Sequence, residues 1–209
     1  KAVQTQIDVK NGVTFPRALR AMLRADPVVI MVGEIRDEET AELAISAANT
    51  GHLVLTTLHT RSALGVIPRL QDLGLSRSSI QEAVTLVVSQ RLLPCLCNKC
   101  KVPVKTTDFQ KRHFEFYGIT PPKYIYRPLG CPDCGSSGVE GRSPVFEFLR
   151  FDSTVRNLMV SNANLEDIAA YNGKRYNSLV KEVMLQIAAG RVEYDQIRNF
   201  EPQMRKFLS

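Results

Sequence analysis

The chain has 209 residues, 44% apolar and 23% charged, the make-up of a globular protein large enough for one sizeable domain or two small ones. No apolar run approaches the length of a membrane-spanning helix and the first residues do not resemble a secretory signal, so a membrane role would need a partner. Most of the net charge of +6 falls in residues 95–143, which carry eight Lys/Arg against four Asp/Glu; that excess is too weak to argue for nucleic acid by itself.

In chain order, Val3, Thr5, Ile7 and Val9 alternate with polar residues and predict a strand closed by Asn11-Gly12. Thr14 is placed to cap a helix with Pro16 in its first turn, and Leu19, Met22 and Leu23 supply its buried stripe. Arg17, Arg20 and Arg24 fall on one face of that helix. Such a face is either solvated or aimed at phosphates, which suit the guanidinium fork.

The stretch from Asp26 to Asp37 follows, and its run Val28–Val32 predicts a buried strand. Gly33 lets the chain turn, and Asp37 caps a helix that runs to Asn49. Glu34 thereby lands at the carboxyl edge of the strand, where ligands sit in open parallel sheets. In an ATPase a Glu there can orient Mg2+ or the attacking water; otherwise it is a solvated Glu after a core strand. A second strand, His52 to Thr57, ends in Leu58-His59-Thr60, so an imidazole and several hydroxyls gather at its carboxyl end. If the two strands are neighbours, Glu34 and His59 reach the same crevice. Helices are predicted over Ser62–Leu73 and about Ser78–Leu92, stopping at Pro94. Strand, helix, strand, helix at this spacing means an α/β fold with a mostly parallel sheet.

From Pro94 the composition changes to Cys, Pro, Gly and Lys. All five cysteines lie between positions 95 and 134, as Cys95, Cys97-x-x-Cys100 and Cys131-x-x-Cys134. Two CxxC pairs, with Gly135 after the second, match a closed tetrahedral four-cysteine site for Zn2+, structural rather than chemical. Cys95 is surplus to it. Beyond Pro144 a short strand (Val145 to Phe151) leads to helices around Val155–Val160, Leu165–Tyr171 and Tyr176–Ala189, the last ended by Gly190, with one more possible over Val192–Phe200. The expected domains are therefore 1–94, 95–143 and 144–209.

These motifs, taken in order, resemble the type II secretion and type IV pilus assembly ATPases. Thr14 to Pro27 is similar to the arginine-bearing helix entering Walker B, and Val29 to Asp37 to Walker B itself with its Gly-Glu-Ile-Arg-Asp end. Thr50 to Thr60 resembles the family's His box; Gln90-Arg91-Leu92, the paired CxxC, Gly138 and Gly141-Arg142 follow. The resemblance implies part of a RecA-like P-loop ATPase core, a tetracysteine zinc subdomain and a small helical C-terminal subdomain. It implies a cytoplasmic homo-hexamer that binds ATP and Mg2+ and drives protein secretion or pilus assembly through platform and docking proteins of the inner membrane. Glu34 would position the hydrolytic water, and His52 and His59 would meet the γ-phosphate. Arg17, Arg20 and Arg24 would lie near the nucleotide or a subunit boundary, and Cys97, Cys100, Cys131 and Cys134 would hold zinc. Val28 stands where the family usually has a second Asp, and Pro94-Cys95 where a basic pair is common. No GxxxxGK[ST] occurs, so the chain is read as the later part of such an ATPase, inactive by itself. The alternative is a zinc-ribbon module binding nucleic acid, with Phe109, Phe114, Phe116 and Tyr117 near Lys111 and Arg112 as stacking groups.

Overall fold

The computed structural model describes residues 3–200. Near its start, Val9–Asn11 form one 3-10 turn, capped by the Asp8 carboxylate on the Asn11 N–H and ended by Gly12 at φ 74°. The strand predicted over residues 1–11 is absent from the described part of that segment, where an isolated bridge pairs Asp8 with Val13. Among the described residues the alternating pattern has no neighbouring strand to complete a ladder, and Val3 and Val9 stay exposed.

Helix α1 (Phe15–Leu23) starts as predicted: Thr14 Oγ1 accepts from the Arg17 N–H at 3.4 Å, and Pro16 sits in the first turn. Strands β1 (Val29–Val32) and β2 (Leu53–Thr56) pair in parallel, Val29 opposite Leu53 and Val32 opposite Thr56. Helix α2 (Glu38–Asn49) is the crossover that a parallel pair requires. Ile30 and Val32 pack into the core with Ala41, Ala44 and Ala47 of α2. β1 is not buried on both faces, as its apolar run suggested. Val29 and Met31 are exposed together with their register partners Leu53 and Leu55. A parallel pair needs cover on two sides, and the described residues supply one.

Helices α3 (Val66–Asp72) and α4 (Arg77–Ala83) are shorter than predicted. The helix expected to reach Leu92 gives way to strand β3 (Leu86–Leu96), which carries Pro94 inside it. Val87 and Val88 favour extended backbone. The segment also has a partner strand, β6 (Val139–Arg150), far longer than the strand predicted from Val145. Between them lie β4 (Val102–Lys105), α5 (Asp108–Phe116) and β5 (Tyr124–Arg127), with β4 and β5 antiparallel. α6 (Ser153–Val160), α7 (Leu165–Gly173) and α8 (Leu179–Ala188) follow, then a 3-10 segment, Tyr194–Phe200.

Two compact units result. One holds the described residues up to Val87 with Leu149–Asn172, the other Val88–Phe148 with the described residues from Gly173. They are cut differently from the expected 1–94, 95–143 and 144–209, because α6 and α7 join the first unit and α8 the second. In the first unit Ile67, Leu70 and Ile80 share a core with Val155, Met159 and Ile168. Arg156 of α6 donates to the carbonyls of Phe151, Glu82 and Val84, satisfying orphan acceptors at the end of α4. In the second, Leu93, Phe114, Ile125 and Val145 pack against Leu179, Val183, Met184 and Ile187 of α8. Gly190 (φ 66°) ends α8 beneath the Tyr126 ring, which a Cβ would strike at 2.8 Å. Among the described residues no helix is long and apolar enough to cross a membrane.

Candidate functional site

The carboxyl ends of β1 and β2 are adjacent because the strands are parallel and in register. Past the last pair the chains stay stapled: the Ile35 N–H donates to the Thr57 carbonyl at 3.2 Å, and Thr57 Oγ1 donates to the Gly33 carbonyl at 2.6 Å. The backbone of Glu34 is therefore held on both flanks. Gly33 makes this turn without a positive φ. The Glu34 side chain, half-buried, meets Arg36 Nη2 at 2.6 Å through Oε1 and His59 Nε2 at 3.2 Å through Oε2. The hydrogen bond from Arg36 is the largest influence on its acidity and, with His59 helping, holds the carboxyl below its ordinary range against the opposing effect of burial. A carboxylate ionised at neutral pH, with an imidazole beside it at a strand-end rim, can accept a proton or orient a water.

The other expected residues have other partners. His52 precedes β2 at its opposite end, roughly 15 Å of extended chain from the rim. Its Nδ1 lies 3.0 Å from the Ala47 carbonyl and 3.2 Å from Thr50 Oγ1, closing the end of α2. Arg20 pairs with Glu39 at 2.6 Å, Arg17 Nη1 donates to the Gly12 carbonyl at 3.1 Å, and Arg24 is the exposed C-cap of α1. Sequence reasoning assigned no role to Arg36. Its charge and its offset of two from Glu34 were the available signal.

In the second unit the four paired cysteines converge, their Sγ atoms all within 4.8 Å of one another. The Cys100–Cys134 and Cys131–Cys134 separations are 3.8 and 3.7 Å. A tetrahedral ion with Zn–S bonds of about 2.3 Å requires S···S edges of about 3.8 Å, whereas a disulfide would need about 2.05 Å. The donor set fits a divalent metal. Local backbone produces the geometry: Pro132–Cys134 make a 3-10 turn and Gly135 takes φ 58°. Burial pushes the Cys134 thiol up, but the N–H groups of Cys131 and Gly138 outweigh it and hold it at about 6. For Cys100 burial is the largest influence and, with the neighbouring thiols, outweighs the backbone bond from Gly130 and pushes it up to about 11. Lys99 and Asp133 join the two knuckles at 2.7 Å. Cys95, half-buried, is outside the tetrad. Of the α5 aromatics, Phe114 is in the core and Tyr117 packs on it, while Phe109 and Phe116 are exposed.

Fold and rim together define an α/β core of the kind seen in solved ATPases. The crystal structure of the pilus retraction motor PilT with bound ADP matches 88% of this chain and 42% of that one, at TM-score 0.62 and 27% identity. A family model described as "Type II/IV secretion system protein" matches residues 1–199. The chain belongs to that family, the type II secretion and type IV pilus assembly ATPases. Type II secretion system protein E of Dickeya dadantii (strain 3937) is 39% identical over 194 residues, which cover 93% of this chain and 38% of that protein. The type IV pilus assembly ATPase PilB of Acinetobacter baylyi is 40% identical over 190 residues, 85% of this chain and 32% of its own. The chain thus spans between about a third and two-fifths of these two relatives' length.

Proposed function

We propose that this chain supplies the water-activating wall of an ATP-hydrolysing site in a hexameric motor for type II secretion or type IV pilus assembly, working on the cytoplasmic side of the inner membrane through platform and docking proteins there. The observation that carries the reading is the meeting of Glu34 with His59 at the carboxyl rim of two parallel strands. Glu34 would orient the attacking water and draw its proton, and His59 would turn toward the γ-phosphate. ATP and Mg2+ would be held chiefly by a phosphate-binding loop in the remainder of a longer protein. The exposed face of Val29, Met31, Leu53 and Leu55 supports that view, since an apolar sheet face needs a covering layer. Arg20 and Arg17 would be released from Glu39 and Gly12 to serve a neighbouring subunit's nucleotide, with Arg24 beside them. His52 we assign to the end of α2, outside the site of its own chain. Zn2+ on Cys97, Cys100, Cys131 and Cys134 would be structural, because four thiolates leave it no open position.

The test is Glu34→Gln in the complete protein. Turnover is expected to fall at least about 100-fold, the usual weight of a general base, while ATP affinity is retained. Unchanged turnover would show that the rim is not a hydrolytic site.

A further inference from the structure

Glu34 has two oxygens and two partners, and the partners are unequal. Arg36 holds Oε1 with a short charge-assisted bond of 2.6 Å, from two residues along the same loop. His59 reaches Oε2 from the other loop at 3.2 Å, with a side chain that is 85% exposed against 22% for Glu34. A carboxylate that is to bind an attacking water must keep an oxygen for it. With Oε1 taken, Oε2 is the one available, and its present partner is the more easily displaced. The backbone of Glu34 is already fixed by Thr57 on both flanks, so the freedom left is rotation of the side chain, which the Arg36 contact restricts.

We propose that Arg36 is a positioning residue for hydrolysis: it pins Oε1 of Glu34 so that Oε2 faces the water, an oxygen that His59 occupies until nucleotide draws the imidazole away. The proposal rests on the ATPase reading above. The Arg36 side chain is 70% exposed, and an ion pair this exposed adds little to folding. Its contribution is geometric, where a small misplacement of a reacting group is costly.

The experiment is a double-mutant cycle in the complete protein, read by steady-state kinetics and by binding of ADP and of ADP–aluminium fluoride. The latter mimics the transferring phosphoryl group. Arg36→Ala is expected to lower kcat about 10- to 100-fold, leave KM for ATP and the ADP affinity unchanged, and weaken ADP–aluminium fluoride in step with kcat. Arg36→Lys, which keeps one charged donor, is expected to recover part of both. In a Glu34→Gln background Arg36→Ala is expected to cost nothing further, because it acts only through the carboxylate. Unchanged kcat in Arg36→Ala, or a loss that multiplies with that of Glu34→Gln, would overturn the proposal. Should Arg36→Ala not fold, Arg36→Lys and Arg36→Gln run the same cycle. If Glu34→Gln itself leaves turnover intact, it is the ATPase reading that fails, and the proposal with it.

Discussion

At His113 the chain buries an imidazole with one nitrogen partnered. Nδ1 lies 2.6 Å from the Tyr194 hydroxyl, Phe109 stands over the ring with centroids 4.7 Å apart, and Nε2 has no partner among the described residues. Protonation would leave a buried cation with a donor unsatisfied, so burial lowers the pKa of the group below its usual value near 6.5. The sign of the pH dependence follows. The unfolded chain takes up a proton in a range where the folded chain refuses it, so stability is complete above about pH 6.5 and declines as pH falls from there. Burial, with Asp195 adding to it, raises the pKa of Glu193 and acts in the opposite sense, favouring the fold as pH drops. The urea midpoint of the second unit is expected to fall between pH 7 and 5.5, with the Cys134 thiol, held at about 6, contributing in the same sense as His113. His113→Phe is therefore expected to make that slope shallower without abolishing it, and a slope as steep in the variant as in the wild type would place its whole origin elsewhere.

Among the elements, α2 carries the crossover and follows directly on Glu34, and its start depends on one side chain. Asp37 Oδ1 accepts from both the N–H and the hydroxyl of Thr40 at 2.8 Å, and Thr40 is fully buried. Asp37→Ala is expected to cost about 2 kcal/mol, a lost cap plus an unpaired buried hydroxyl; Thr40→Val in that background should return part of it. Chemical denaturation of wild type and both variants measures this, and a cost near zero would mean that water replaces the cap. Caps of this kind were legible because they are local: Thr14 with Pro16, Asp37, and Gly190 all act within a few residues of where they stand. The strand over residues 86–96 was not legible, because its apolar residues suit a helix stripe or a strand edge equally. What decides is pairing with β6, more than forty residues away. The same division runs through the candidate site. Glu34 and His59 could be placed because a strand's end is a property of its own sequence, and the four cysteines because their spacing is the signal. Arg36 offered only its charge and its offset of two from Glu34, and which oxygen it binds is set by rotamers, while His52, at the start of its strand, turns back onto α2 at the end away from the rim.

On the scale of the whole chain, two units with separate cores imply two separate responses to loss of the zinc proposed for the four cysteines. Each apolar cluster is built within its own unit, and the thiol tetrad belongs to the second. There it ties the end of β3, through Cys97 and Cys100, to the turn before β6, through Cys131 and Cys134. A backbone bond reinforces the tie, the Cys97 N–H donating to the Gly138 carbonyl at 2.9 Å, while the Leu96 N–H donates to the Arg191 carbonyl, beyond α8, at 2.8 Å. Removing the ion would leave four thiols in mutual contact, two of them buried. The repulsion among those that ionise, and the loss of the closed loop of more than thirty residues, both fall on that unit. The protein as purified is expected to carry close to one zinc per chain. Stripping it with a chelator should speed amide exchange from Leu96 to Arg142 while β1, α2 and β2 keep their protection, and Cys134→Ser should reproduce that pattern in part. Exchange that rises equally in both units would mean that they unfold as one, and an unaltered metal-free protein would mean that the core around Phe114 and α8 holds the knuckles without an ion.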